Sequence, residues 1–474
     1  PEQFQTTRRD SPVLSFFPGS DREWVTWMPE GYYDTSIAGD RRLLGWHVNK
    51  GLAAPTEFYP MSRYEAQLRQ PRVIDTLLRT ADAAGAIGAL APPVVVAPPT
   101  IRIIAPVAAP AGGEIAVQQP SLDLRIEVAG SQDRLIRSLV FRNGSVRYPP
   151  RAFDPALPRV DVSQEIKLQP EDNPISIVAT DNQGVERIET LRIRLNLPKP
   201  PISTGPRLVV RSIGIEKFRG RDIPAIPFAA LDARKLADFL VAPADKKHFR
   251  EDRIDAQVLD GPRATSGEIF NVFERLSADI KGRKLRAGDT VFLVIESHVL
   301  NLGPQGSLVL GADAEINKNS PETSVPAQAI SERLEEVASE GCLVLLLLDG
   351  IHDQMPVQLR SPVITEWVRD LNKRGVIVLL ASKQDPSERL SQSGAFAQAI
   401  LDSVTVAGRA ARPGNPDGGT SPTLDDFQAT VVNRVRELTS RKQFADFFPP
   451  EYLNWSDIRI FGPQPAPWEN VAKR

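Results

Sequence analysis

Two apolar runs in this chain lead into residues that can do chemistry. TVFLVI leads into Glu296-Ser297-His298, and CLVLLLL into Asp349-Gly350-Ile351-His352-Asp353. Imidazoles and carboxylates move protons and hold metals near neutral pH, so three chemistries are open. A zinc or iron ion could be held by His298, His352 and Asp349 or Asp353, which are the right ligand types but form no characteristic motif. A hydrolase could use the same groups as acid and base. The third reading is the remnant of a catalytic site. Ser297 with His352 as its base is a poor nucleophile pair, because in a continuing strand Ser297 and His298 point to opposite faces. The sole thiol, Cys342, opens the second run, about seven residues and roughly 23 Å from its polar end. It reads as an inert, buried small hydrophobe. Asp232, near the start of LDARKLADFL, reads as helix support.

Residues so placed need elements that bring their strand ends together. RLVVRSIGI, IDAQVL, TVFLVI, CLVLLLL and GVIVLLAS are short apolar runs, as expected of strands buried on both faces. Helical faces lie between them: Phe228, Leu231, Leu236, Phe239 and Leu240, then Ile269, Val272, Phe273 and Leu276, then stretches near Ile330 to Val337 and Ile364 to Leu371. Strand alternating with helix predicts a parallel sheet, and right-handed crossovers place the carboxyl ends of its strands on one edge. His298 and Asp349 are thereby expected at the same edge.

Upstream, residues 1–80 concentrate Trp24, Trp27, Trp46, Tyr32, Tyr33, Phe58 and Tyr59, which predicts a packed aromatic core of short strands with turns at Pro29 to Gly31 and at Gly39-Asp40. A helix is expected from Tyr64 to Leu78, then an Ala/Pro linker over 81–99. Residues 100–197 alternate with period two in LDLRIEV, SLVF and TLRIRL, with hairpin signals at Asn143-Gly144 and at Asp181 to Gly184. That pattern predicts an immunoglobulin-like β-sandwich. Asn143-Gly144-Ser145 is formally a glycosylation acceptor, but the hairpin turn is the better reading. A second linker covers 198–206, and the α/β domain covers 207–474, with a mobile loop near 407–422 (AGRAARPGNPDGGTSP). The expected class is therefore multidomain: a β-rich N-terminal segment, a sandwich, then an α/β sheet covered by helices.

Composition removes other classes. In 474 residues, 57 Lys and Arg against 59 Asp and Glu leave no positive field for a nucleic acid. One cysteine excludes an internal disulfide and a cysteine zinc cluster. The run Ala83 to Pro99 is long enough for a membrane span, but Pro92, Pro93, Pro98 and Pro99 would break it. The chain starts at Pro1 without an initiator Met and without a basic-then-apolar signal, so the true N-terminus is expected farther upstream; the sequence does not read out targeting, and a cytoplasmic location is only the default expectation.

WMPEGYYD and GDRRLLGWHVN, between Glu23 and Pro60, resemble the segment that follows a WD-repeat propeller in large bacterial caspase-homologue proteins, and the resemblance implies an upstream propeller. From Arg207 to about Phe461, the order SIGIEKF, AALDARKLADFL, LDGPRATSGEI, a strand ending at His298 and a strand ending at Asp349 is similar to the caspase, metacaspase and orthocaspase fold. TLDDFQATVVNRVRELTSRKQFADFFPP resembles that family's closing helix and tail. Active members carry SGHG-like and DACHSG-like strings, in which a Cys thiolate attacks, a His positions and protonates, and backbone N–H groups after the His and at the Cys hold the oxyanion. Here the His position is His298, its flanking glycines are Ser297 and Val299, the Asp is Asp349, the Ala is Gly350, and the nucleophile's place is taken by Ile351. The resemblance therefore implies a catalytically inactive caspase-like protein that acts on protein partners as an interaction or regulatory module, without a cofactor or metal. The alternatives are a divergent caspase-family endopeptidase or other hydrolase with a displaced site, and a metal-dependent hydrolase using His298, His352 and Asp349.

Overall fold

The computed structural model describes residues 12–19, 23–48, 56–90, 96–106, 115–144, 146–168, 171–196, 206–242, 249–301, 306–315, 323–350, 363–381, 390–407, 423–450, 458 and 460. Ile351, His352 and Asp353 lie outside these residues, as do nearly all of the expected linker 198–206 and mobile loop 407–422.

Three short strands open the chain, β1 (Ser15–Pro18), β2 (Trp24–Trp27) and β3 (Tyr33–Thr35), paired antiparallel in that order. Gly31, at φ 99°, closes the β2–β3 turn, a backbone conformation that costs glycine little. The turn expected at Gly39-Asp40 is instead a one-turn helix, α1 (Gly39–Arg42). β4 (Gly45–Val48) and β5 (Glu57–Pro60) pair with each other. Tyr33, Tyr59, Tyr64, Met61 and Leu68 form a buried cluster, with Trp27 and Trp46 half-buried against it. The single helix expected from Tyr64 to Leu78 is broken into α2 (Glu65–Leu68) and α3 (Pro71–Thr80). Pro71 is the reason: it lacks an N–H and disfavours helical geometry at Gln70, so it starts a helix but cannot continue one. Within the Ala/Pro stretch, α4 (Ala83–Ile87) is helical, and Val96, Pro98 and Pro99 are buried. The Val96 carbonyl accepts from the Tyr64 hydroxyl at 3.1 Å.

Among the described residues nine strands follow: β6 (Thr100–Ala105), β7 (Ile115–Val117), β8 (Ser121–Ala129), β9 (Ile136–Asn143), β10 (Val146–Arg147), β11 (Arg151–Leu157), β12 (Arg159–Lys167), β13 (Glu171–Asp181) and β14 (Glu186–Leu195). One sheet runs β10-β9-β13-β14-β7 with β11 also on β9, and the other runs β12-β8-β6. Alternate residues of the two sheets, among them Leu124, Ile126 and Val128 on β8 and Leu139, Phe141, Ile175 and Ile177 on β9 and β13, share one core. Asn143 is buried, and its side-chain N–H groups donate to the Lys167 carbonyl at 3.0 Å and to Asn173 Oδ1 at 2.8 Å. Its amide ties the end of β9 to β12 and β13 and is not available as a glycan acceptor.

The last sheet runs β16-β15-β17-β21-β22-β23: β15 (Leu208–Gly214), β16 (Ile254–Asp260), β17 (Thr290–Glu296), β21 (Leu343–Asp349) and β22 (Ile377–Leu380) are parallel, and β23 (Asp446–Phe448) is antiparallel. Between β17 and β21 lie β18 (Val299–Asn301), β19 (Ser307–Leu310) and β20 (Ser324–Pro326), a separate small sheet. Val291, Leu293, Ile295, Leu346 and Leu348 face one layer of helices, α6 (Ser266–Lys281), α7 (Ala327–Ser339) and α8 (Val363–Lys373). Phe292, Val294, Leu345 and Leu347 face the other, α5 (Ala229–Val241), α9 (Ala395–Ala407) and α10 (Leu424–Leu438). Both faces are covered, which is why these strands are apolar throughout. The face expected on α5 needs correction. Phe228 lies before the helix at φ 70°, Leu231 is exposed, and the buried stripe is Ala229, Ala233, Leu236, Ala237 and Leu240. The small alanines let α5 approach β15 so closely that a Cβ on Gly214 would lie 2.2 Å from the Ala229 carbonyl oxygen.

Candidate functional site

β17 and β21 are neighbours, and Glu296 lies directly opposite Asp349 at their carboxyl ends. The pairing continues past both strands: the Ser297 N–H donates to the Asp349 carbonyl at 3.3 Å, and the Val299 N–H donates to the Gly350 carbonyl at 3.2 Å. His298, Val299, Asp349 and Gly350 are thus brought together, whereas Ile351 and His352 lie outside the described residues.

His298 is 1% exposed. Its Nε2 lies 2.8 Å from the Pro224 carbonyl, an atom that can only accept, and so Nε2 carries the proton. The ring also tilts against Phe218, with centroids 5.1 Å apart. Both partners come from the segment between β15 and α5, which crosses the sheet edge. That strap is fastened by N–H groups of Arg219 and Gly220 donating to the carbonyls of Ala312 and Ala314 at 2.9 and 2.8 Å. Ile223 packs with Leu300, Leu310 and Ala314 beneath it.

Ser297 is also buried, and its hydroxyl donates to the Leu310 carbonyl at 2.7 Å. A hydroxyl committed to a carbonyl acceptor in a dry interior has no base to take its proton. Cys342 lies at the opposite end of β21 from Asp349, its Sγ 3.2 Å from the Arg286 carbonyl. Burial pushes its thiol pKa well above the ordinary value, with Asp289 and Glu340 adding to the rise, so the nucleophilic thiolate is strongly disfavoured. Asp232 does more than support its helix. Buried at the start of α5, it accepts from the Ser393 hydroxyl at 2.5 Å and the Gly394 N–H at 2.6 Å, which ties the approach to α9 onto α5.

The residues that define the site's surroundings, Phe218, Pro224 and Leu310, were not singled out from the sequence. The sequence signals were the string SIGIEKF, which ends at Phe218, and the irregular run GRDIPAIPF that follows it, whose prolines preclude a regular element there. Among the described residues, no group of three or more His, Cys, Asp or Glu side chains is placed to hold a metal ion. No helix among them is long and apolar enough to cross a membrane.

No family model and no curated protein matches the chain. Among solved structures it is similar to pro-sf-caspase-1 at 12% identity and a TM-score of 0.31, over 54% of this chain and 96% of that one. It is similar to fibronectin(III)-like modules of Clostridium thermocellum CbhA at 18% identity and a TM-score of 0.17, over 22% of this chain and 48% of that one, less than half its length. Scores this low carry no argument. The chain is a multi-sheet α/β protein with a separate two-sheet β layer.

Proposed function

We propose that this chain is a caspase-like protein without peptidase chemistry, in which an immunoglobulin-like sandwich and an aromatic N-terminal layer accompany a silent α/β domain that serves protein interaction or regulation. The observation that carries the reading is the Val299 N–H. In the resembled site this group holds the oxyanion, and here it donates to the Gly350 carbonyl. A donor already satisfied by backbone cannot also stabilise a developing charge. Ile351, at the nucleophile's place, has neither a proton to lose nor a lone pair to offer. His298 is covered by the strap, so its role has become structural.

The test is direct. The purified chain should cleave no Arg-, Lys- or Asp-directed peptide, with or without calcium. A peptide-based electrophile should not label the native protein, because Cys342 is buried and its thiol is held protonated. Stoichiometric labelling of folded protein, or turnover of any of these peptides, would sink the reading.

A further inference from the structure

We propose that the loop Ser36 to Asp40 docks the N-terminal layer onto α8 as a latch in cis, and that this latch couples the N-terminal layer to the sheet edge carrying His298. Ile37, 1% exposed, does not pack with its own layer. It is part of the apolar cluster formed by α6, α7, α8 and one face of the parallel sheet.

Beside it, the guanidinium of Arg369 on α8 is also buried. Nη1 donates to the carbonyls of Ser36 at 3.2 Å and Ile37 at 2.9 Å, and Nη2 reaches Asp40 at 2.7 Å and Glu65 at 3.1 Å. The Tyr33 hydroxyl donates to the same Asp40 oxygen at 3.1 Å. An apolar knob alone would dock anywhere on a greasy face. A planar fork that reads two carbonyls and a carboxylate accepts one loop in one orientation. Neither side can leave cheaply, since separation strands a buried charge. At the rim, Lys373 pairs with Glu65 at 2.9 Å and Arg69 with Glu366.

From its other side, α8 reaches the candidate site. Trp367, Val368 and Leu371 belong to the same cluster as Val309, with Val299 half-buried against it. Val299 is the residue whose N–H holds the Gly350 carbonyl. Contiguous packing therefore runs from Asp40 through α8 to the end of β17. Packing this dense leaves little room for one of these groups to move without its neighbours.

Segment-resolved hydrogen exchange on the full chain tests the latch. Asp40→Asn removes the charge while keeping the shape. It should speed exchange at least about tenfold in residues 24–48, in α8 and in 299–301, and leave β8 and β13 at wild-type rates. Acceleration confined to residues 33–42 would reduce the loop to local packing and overturn the proposal. So would no change, or an equal rise in β8 and β13. Should this variant not fold, Ile37→Val, which removes one methylene, takes its place. A rise of about threefold in the same three regions is then expected, and any other pattern overturns the latch.

Discussion

Ile351 and Val299 pose separate obstacles to peptidase chemistry, and they can be tested separately. Ile351→Cys returns a thiol to the nucleophile's place but leaves the Val299 N–H donating to Gly350. Loss of one oxyanion donor costs about 3 to 4 kcal/mol in the transition state, on the order of a hundredfold or more in rate. The single variant alone should therefore not restore full peptide turnover. Ile351→Cys with Val299→Gly, which relaxes the backbone after His298, should exceed it by at least about a hundredfold. Full activity in the single variant would show that the 3.2 Å contact gives way readily. No activity in either, with folding intact, would place the obstacle in the strap over His298.

The elements hold this arrangement through close approach as well as polar contact: the buried Ser212 hydroxyl on β15 donates to the Ala233 carbonyl on α5 at 2.7 Å. β15 and α5 meet where Gly214 faces Ala229 and Ala233, with no room for a methyl group. Gly214→Ala should lower the unfolding free energy by about 3 kcal/mol, read as a shift in the urea midpoint, because both neighbours are backbone or Cβ atoms that cannot swing aside. A loss under about 0.5 kcal/mol would mean that α5 slides on the sheet. The same packing shapes the α5 stripe: Leu231 and Phe228 are core residues by apolarity alone, but Ala229 and Ala233 line the approach to Gly214, and Leu236 and Leu240 fill the core farther along the helix.

Over the whole molecule, Glu65 gives the N-terminal contact a pH dependence. Burial alone would raise its carboxyl, but Arg369, Lys373 and Arg69 overcome that and hold it near 2, against an ordinary 4.5. A pKa lowered in the folded state contributes stability that is present above about pH 4.5 and is lost as the pH falls toward 2. Asp34 works in the opposite direction, since burial raises its carboxyl despite Arg69. Glu65→Gln should therefore cost about 2 to 3 kcal/mol at pH 7 and much less at pH 2 to 3, with urea midpoints at both pH values as the check. An equal loss at both would mean that shape, not charge, matters at this position. Limited proteolysis supplies a second whole-molecule test: cleavage should spare residues 96–99, where Val96, Pro98 and Pro99 are buried, although the Ala/Pro composition alone reads as open linker.

Local pattern was enough to identify the five parallel strands of the last sheet, β8, β9 and β14 of the sandwich and most helices, but not β6, β7, β10 to β12, β18 to β20 or β23. LDLRIEV and TLRIRL alternate because one face of each is buried, and TVFLVI and CLVLLLL do not because both faces are. It was also enough to reveal an isoleucine where the resemblance puts a cysteine, a fact of covalent chemistry that no fold can alter. Pattern could not break the helix after Leu68 unaided, although Pro71 was in plain view, because a proline is equally at home in the first turn of a helix and in a linker. Nor could it bury His298. That residue is covered by Phe218 and Pro224, about eighty residues earlier in an aperiodic stretch, and only chain reversal over the sheet edge brings them within hydrogen-bonding range. The same holds for Ile37, Asp40 and Arg369, more than three hundred residues apart. Burial and pairing at that separation depend on which surfaces meet, and only the tertiary structure decides that.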